Sequence, residues 1–407
     1  MAIIADDLTG AADTGASFAS MGLATTISFA DTPLPEVDIL VRSTESRSLD
    51  ARAATRANQT AAMALTADAG GRHIRWIYKK IDSALRGYPR EELLAVMAAL
   101  GETRALVAPA LPSEERTTVG GRQYISGIPL EASPLGQRSV NSDLVALFGQ
   151  RHEMVVHSLD LATMRKGAGA IQHFLRDAGP GIMVADAETD TDLGGLARAM
   201  AGSDVRVLCG SAGFARQLAV TLPLVSPVQP VIEPIRGAGP VLVVAGSQHP
   251  ATSEQVDALR RAGYPVIHLA QELIDDPSMS IDGTVADVTM HLNSGRSTVL
   301  TTAGLAQSPH GLPFVVERLA DIVAAPPVRQ RIGGLVLTGG HVAAGVFAEL
   351  RASALRLGGE IRPAMPWGVL DAELVPCMPV ATKAGSFGTT DALLACVNHL
   401  GGRSRIH

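Results

Sequence analysis

The sequence predicts an α/β protein of two domains, each a mostly parallel sheet flanked by helices. Short apolar runs of strand length alternate with helix-patterned segments from the first residue onward. Several of these runs are apolar at nearly every position, as expected of strands buried on both faces of a parallel sheet. At 407 residues the chain also exceeds what one hydrophobic core supports. A proline-dense stretch from Leu222 to Pro240, with prolines at 223, 227, 230, 234 and 240, divides it, and proline at that density favours an extended connector. The expected organisation is a first domain over 1–221, a linker over 222–240 and a second domain over 241–407.

Taken in order, Met1–Ala5 is too short for a buried helix and reads as a central strand. It ends in two consecutive carboxylates, Asp6 and Asp7. Thr9 and Gly10 follow, and a helical pattern then runs through Phe18 and Met21. Further strands are expected at Ala24–Phe29, Asp38–Val41, Ile74–Tyr78, Ala105–Ala108, Met154–His157, Ile182–Ala185 and Val205–Cys209, with helices such as Glu91–Leu100 and Ala168–Asp177 between them. Gly210–Val220 reads as a helix entered through a Gly-Ser turn. After the linker the same grammar restarts, with strands at Pro240–Ala245, Pro265–Leu269, Thr298–Thr302, Gly334–Thr338 and Pro379–Thr382. Three of these run into Gly/Ser-rich turns that open helices.

Composition removes several function classes. Aromatic residues make up only 3%, too few for base-stacking platforms, and a net charge of −6 gives no basic face for nucleic acid. Cys209, Cys377 and Cys396 are far apart, which suits neither a disulfide framework nor a zinc site. No basic leader precedes the first strand and no apolar run reaches membrane-spanning length. The expectation is a cytoplasmic protein that binds neither membrane nor nucleic acid.

Two adjacent acids at a strand end repel unless Arg, Lys, a metal or ligand hydroxyls pair with them, although one of them could simply cap the following helix. Lys79–Gly87 concentrates Lys79, Lys80, Asp82, Ser83 and Arg86 after another strand, where open α/β sheets bind ligands. A polyol carboxylate needs cations for its charge and Asp or Ser for its hydroxyls, and this segment offers both. Val41–Arg47 adds Arg42 and Arg47, the residue type that grips carboxylates at two points. Arg116–Gly121 reads as a third polar, flexible turn with a cation at its start.

Nucleotide recognition falls to the second half. No G-x-x-x-x-G-K-[ST] and no G-x-G-x-x-G occurs. What occurs is Gly246-Ser247, Thr338-Gly339-Gly340 and Gly385-Ser386-Phe387-Gly388, each between a strand and a helix, where free N–H groups and the helix dipole favour phosphate. Any one such turn is more often a tight connection. Three in one domain, with Lys383 beside the last to neutralise a phosphate oxygen, favour an anion site.

The motifs ADDLTGAADTG, TESR, KKIDSALRG, RTTVGG, GSAG, GSQHPATSEQ, TGG and KAGSFG span Ala5 to Gly388 and together resemble those of the four-carbon acid sugar kinases. The resemblance implies an amino-terminal sugar-acid domain and a carboxy-terminal ATP domain, with the active site in the cleft between them. It implies transfer of the γ-phosphate of ATP to a terminal hydroxyl of a threonate- or erythronate-type acid, or of a 3-oxo-tetronate. It places substrate contacts at Asp6 or Asp7, Arg47, Lys80, Ile81, Asp82 and Ser83, to which the residues themselves add Arg86. It places ATP contacts at Ser247, at Gly339 with Gly340, His341 and Val342, and at Gly385, to which the residues add Lys383. Val342 stands where the family usually has Thr, so a side-chain contact there is lost and backbone contacts remain. Leu8, Ala12 and Thr14 make the opening motif more like the threonate or erythronate kinases than the 3-oxo-tetronate ones, which carry DDFTGATD.

The sequence reading is therefore an ATP- and Mg²⁺-dependent kinase. Asp82 is favoured as the catalytic base with Asp7 as the alternative, Arg47, Lys80 and Arg86 hold the carboxylate, and Mg²⁺ is carried mainly by the nucleotide. Expected partners are the sugar acid and ATP, with a homodimer allowed. The rivals are a sugar-acid binding protein without turnover, which has no use for three phosphate turns, and a nucleotide-dependent oxidoreductase, which lacks its fingerprint.

Overall fold

The computed structural model describes residues 1–29, 37–68, 74–134, 141–149, 154–222, 224 and 239–401. Most of the expected linker over 222–240 lies outside them. By packing, the chain divides into one unit of Met1–Thr25 with Pro33–Gln229 and another of Thr26–Thr32 with Pro230–His407.

In the first unit the strands are β1 (Ala2–Ala5), then, beyond β2 (Thr25–Ser28), β3 (Ile39–Ser43), β4 (Ile77–Lys80) and β5 (Arg104–Ala108). A hairpin of β6 (Arg116–Val119), β7 (Arg122–Ile125) and β8 (Ile128–Pro129) follows, and then β9 (Val156–Leu159), β10 (Gly181–Ala185) and β11 (Val207–Gly210). The sheet order is β3-β1-β4-β11-β5-β10-β9, all parallel. All four residues of β1 are fully buried, which is why the run carries no polar alternation. Ile4, Ile77, Val107, Val184 and Val207 form one core with Ala61 and Leu65 of helix Ala51–Asp68 and Leu93 and Val96 of helix Pro89–Leu100. Tyr78 points the other way, as alternation along a strand requires, and meets Phe214 of helix Ala212–Thr221 with ring centroids 6.1 Å apart. Because β3 and β4 flank β1, the sheet has a switch point where β1 ends, and open α/β sheets bind ligands at such a point.

The second unit contains β12 (Val241–Ala245), β13 (Val266–His268), β14 (Thr298–Thr301), β15 (Gly334–Thr338), β16 (Ala352–Arg362), β17 (Met365–Ala372) and β18 (Met378–Lys383), in the order β13-β14-β12-β15-β18-β17-β16. The strands from β13 to β18 in that order are parallel, while β16, β17 and β18 form an antiparallel meander. Its core joins Val243, Val256, Val336 and Val397 with Trp367. From Thr26 onward β2 packs with this unit, where the Phe29 amide donates to the Ser353 carbonyl at 2.9 Å and the Phe29 and Phe347 rings lie 5.5 Å apart. Here too the central strand, β12, has its sequence-distant neighbours β14 and β15 on opposite sides.

Two segments depart from the sequence reading. Arg116–Gly121 is no flexible turn but the whole first hairpin arm with its tip, which Gly120 and Gly121 make with φ of 60° and 71°. Two successive positive φ values define the turn that matches strand twist, and glycine adopts both at little cost. The long β16–β17 hairpin was not expected from the sequence, which carries Gly358, Gly359 and Pro366 there. Trp367 overrides these breakers by packing against Gly358, where a Cβ would lie 2.4 Å from the indole.

Candidate active site

Strand register brings four chain segments to one place in the first unit. Ala5 is level with Ser43 and with Lys80, and Lys80 is level with Gly210. The residues following β1, β3, β4 and β11 therefore emerge side by side.

Arg47 resolves the repulsion between Asp6 and Asp7. Its Nε and Nη2 donate to Asp6 Oδ2 and Oδ1 at 2.8 and 2.9 Å, while Nη1 and Nη2 donate to Asp7 Oδ2 and Oδ1 at 2.7 and 2.9 Å. Such two-point charge-assisted pairs are both strong and orientationally fixed. Asp7 also caps helix Leu8–Ala19, its Oδ1 accepting from the Gly10 amide at 2.8 Å. The two carboxyls differ in proton affinity. Burial raises that of Asp6, but Arg47, Lys79 and Lys80 outweigh it and the net shift is downward. At Asp7 burial, helped by the charge of Asp6, outweighs Arg47 and Lys80, and the net shift is upward.

The turn after β4 completes the cluster. Arg86 Nε and Nη2 donate to Asp82 Oδ2 and Oδ1 at 2.7 and 2.9 Å, and the Ala84 and Arg86 amides donate to Oδ2 at 3.2 and 3.3 Å. Burial raises the Asp82 carboxyl, yet the Arg86 hydrogen bonds and the Arg47, Arg86 and Lys80 charges hold it far below the usual carboxylate range. The Lys80 ammonium sits among the charges of Asp6, Asp7 and Asp82, but among the described residues it makes no hydrogen bond. Gly10 makes room for it, since a Cβ there would lie 2.6 Å from Asp7 Oδ1 and 2.8 Å from Lys80 Nζ. Ile81 points into the core, and its amide donates to the Gly210 carbonyl at 2.9 Å, which anchors the turn. Ser83 Oγ accepts a hydrogen bond from Arg116 Nη1.

Beneath the cluster lies a network that sequence reasoning missed. Lys79 and Glu92 form an ion pair in the interior. Ser46, next to Arg47, donates to Glu92 Oε1 at 2.9 Å, and Asn58 donates to Ser46 Oγ at 3.2 Å. Helix Ala51–Asp68 and helix Pro89–Leu100 thus fix the turn that carries Arg47. Glu45, in the same turn, accepts from Ser43 Oγ at 2.5 Å and is pushed up by burial to about 7. The acid within a helical pattern at Glu92, following a lysine on a buried strand, was the only available sign.

In the second unit Gly246, Ser247, Gly339, Gly340, His341 and Val342 line one cavity of 540 Å³. Gly339 has φ 102° and opens helix Gly340–Glu349, whose first amides are directed as a phosphate site requires. The rest of the wall includes Ile274, Leu305, Leu312 and Val315, an apolar surface of the kind that holds a planar base. Sequence spacing did not reveal that wall. Val342 fills the family's Thr position by packing, and a Cβ on Gly246 would come 2.5 Å from its Cγ2.

Lys383 and Gly385 stand beside this cavity rather than in its lining. Lys383 Nζ donates to the Ala384, Gly385 and Phe387 carbonyls at 2.7, 3.2 and 2.8 Å, so all three of its N–H groups hold the turn. Burial lowers the Lys383 ammonium to about 8. The turn lies against Ser247, whose Oγ would be 2.1 Å from a Cβ on Gly385, and Thr252 Oγ1 donates to the Gly385 carbonyl at 2.9 Å.

Residues 1–218 match the model of a sugar-binding N-terminal domain, and residues 242–393 that of a nucleotide-binding C-terminal domain. The chain is 33% identical to a D-threonate kinase of Salmonella typhimurium, covering 97% of this chain and 96% of that one. It is 30% identical to a D-erythronate kinase of Heliobacterium modesticaldum, covering 98% and 96%. To a 3-oxo-tetronate kinase of Methylobacterium radiotolerans it is 31% identical, covering 95% and 96%. A solved protein of Haemophilus influenzae shares the fold, with a TM-score of 0.74 at 21% identity over 99% of both chains.

Proposed function

Because the chain belongs to the four-carbon acid sugar kinase family, we propose that it transfers the γ-phosphate of ATP to the terminal hydroxyl of a threonate or erythronate, giving the 4-phospho acid. The enzyme is a phosphotransferase acting on an alcohol group. The observation that carries the choice of acceptor is the cluster at the β1 switch point. It presents the carboxylates of Asp6, Asp7 and Asp82 to hydroxyls and the Lys80 ammonium to an anion.

In this reading the acceptor oxygen attacks the γ-phosphorus as the bond from that phosphorus to the β–γ bridging oxygen breaks. Asp82 accepts a hydrogen bond from the attacking hydroxyl and takes its proton as the new P–O bond forms. So acidic a carboxyl orients the hydroxyl through most of the reaction and receives the proton late, as suits a loose transition state. Arg47 acts through Asp6 and Asp7, which it fixes in place. The Ser247 hydroxyl and the amides at Gly339–Val342 fit phosphate oxygens, and no carboxylate is among the described residues lining that cavity. Mg²⁺ carried on the phosphates would supply charge neutralisation there.

The test is an ATP-coupled assay with Mg²⁺ over D-threonate, L-threonate, D-erythronate and 3-oxo-tetronate, with larger aldonic acids as controls. Turnover confined to a threonate or erythronate is expected. Turnover of 3-oxo-tetronate alone would favour the second reading, which the 31% identical relative supports. ATP binding with silence on all four acids would overturn both.

A further inference from the structure

We propose that Arg116 seats the carboxylate of the sugar acid, with Ser83 beside it. The assignment rests on the kinase reading and adds to it a residue that fixes specificity for an acid over a neutral polyol.

Most cations around the β1 switch point are already engaged. Arg47 is engaged by Asp6 and Asp7, Arg86 by Asp82, and Lys79 by Glu92 and the Lys80 carbonyl. Each of these charges is already met inside the protein, and the Lys80 ammonium, which makes no hydrogen bond among the described residues, offers an anion a point charge rather than a two-point seat. Arg116 is differently placed. It donates from Nη1 to Ser83 Oγ, but its Nε is shielded from water and has no hydrogen-bond partner, and among the described residues no carboxylate forms an ion pair with it. The Nε–Nη2 edge is the one that matches a carboxylate at two points. A buried donor left without a partner is costly unless a ligand fills it.

The hairpin that carries Arg116 is firmly tethered. The Gly120 and Gly121 amides each donate to the Asp186 carboxylate at 2.8 Å. Thr118 Oγ1 donates to Gln123 Oε1 at 2.7 Å, and Gln123 Nε2 donates to the Ser83 carbonyl at 2.9 Å. The guanidinium is therefore held against the same turn that carries Asp82. Burial lowers its proton affinity, opposed by the charges of Asp82 and Glu114, and an anion on its open edge would add to that opposition.

The experiment compares the four-carbon acid that the enzyme phosphorylates with its neutral amide, in the wild type, Arg116→Gln and Arg116→Lys, by KM, kcat and calorimetric binding. The wild type should favour the acid. Arg116→Gln should weaken the acid about 10- to 100-fold, the scale of lost charge-assisted hydrogen bonds, leave the amide nearly unmoved and keep the KM for ATP within about twofold. If Arg116→Gln does not fold by circular dichroism, Arg116→Lys is read the same way, since it keeps the charge but not the fork. Equal losses for acid and amide, or a loss confined to ATP, would overturn the assignment while leaving the kinase reading intact. A wild type that turns over no four-carbon acid would sink the kinase reading, and the assignment with it.

Discussion

Lys79 and Glu92 pair at 2.8 Å with side-chain exposures of 0% and 1%. Removing one partner leaves the other charge in the interior, which costs about 3–5 kcal/mol, whereas replacing both by apolar groups of similar volume is often neutral. Glu92→Gln should therefore unfold at clearly lower denaturant, and Lys79→Met/Glu92→Leu should recover much of the loss. Because Glu92 also holds Ser46 beside Arg47, the recovered double variant should still show a raised KM for the sugar acid. Equal stability of the single variant and the wild type would show that the pair is not needed.

Asp82→Asn keeps shape and volume but removes the charge and the proton acceptor. Its kcat should fall by about 10²–10⁴-fold, the range for a positioned acid–base group, with the KM for ATP little changed. The sign of the pH effect follows from a folded proton affinity below the unfolded one. The stability Asp82 contributes is present above pH about 4 and is lost as the pH falls toward its folded value. Asp82→Asn should thus flatten the acid limb of the stability profile. An unchanged kcat would remove Asp82 from the chemistry.

Glu45 gives the opposite slope. Burial holds its folded value at about 7, above the unfolded 4.5. Between those values the native state keeps a proton that the unfolded chain has released, so stability falls as pH rises through that window. Glu45→Gln should match the wild type near pH 5 and exceed it at pH 8 in thermal melts.

Lys383→Met removes the three hydrogen bonds that hold the turn against Ser247. The KM for ATP should rise about tenfold, the loss of one to two kcal/mol of hydrogen bonding, while binding of the acid stays level. In the wild type ATP affinity should also fall above pH 8, as the ammonium loses the proton that serves its third carbonyl. Lys383→Met should lack that pH dependence. Between pH 8 and 10.5 the unfolded chain binds the extra proton, so this group's share of stability rises with pH there.

The strand grammar was legible because buried parallel strands repeat one signal, as Met1–Ala5 and Gly334–Thr338 show. The cluster at Asp6, Asp7, Arg47 and Asp82 was legible as composition but not as pairing. Sequence displays charges without showing which of them cancel, and only the structure pairs Arg47 with Asp6 and Asp7 and Arg86 with Asp82. The first hairpin carries its own sign, two glycines after the β-branched run Thr117–Val119, which a reading as a flexible turn passes over. Asp186 follows β10 just as Asp6 follows β1, yet its partners, the Gly120 and Gly121 amides, lie in a hairpin that no local pattern links to it. The apolar wall of the second unit's cavity gathers residues 274 to 315 from separate segments, and only tertiary packing assembles it.

The strand β2 leaves the ribosome long before the strand it adjoins. Phe29 bonds to Ser353, roughly 320 residues downstream, and at ~5–20 residues per second that is a wait of about 16–65 s. For that interval a nascent strand edge has no native neighbour, so synthesis speed and chaperone occupancy bear on how much active enzyme a cell obtains. Splitting the gene near the proline-rich segment would not yield two independent halves, because the downstream product would lack Thr26–Thr32, which is encoded upstream of the cut.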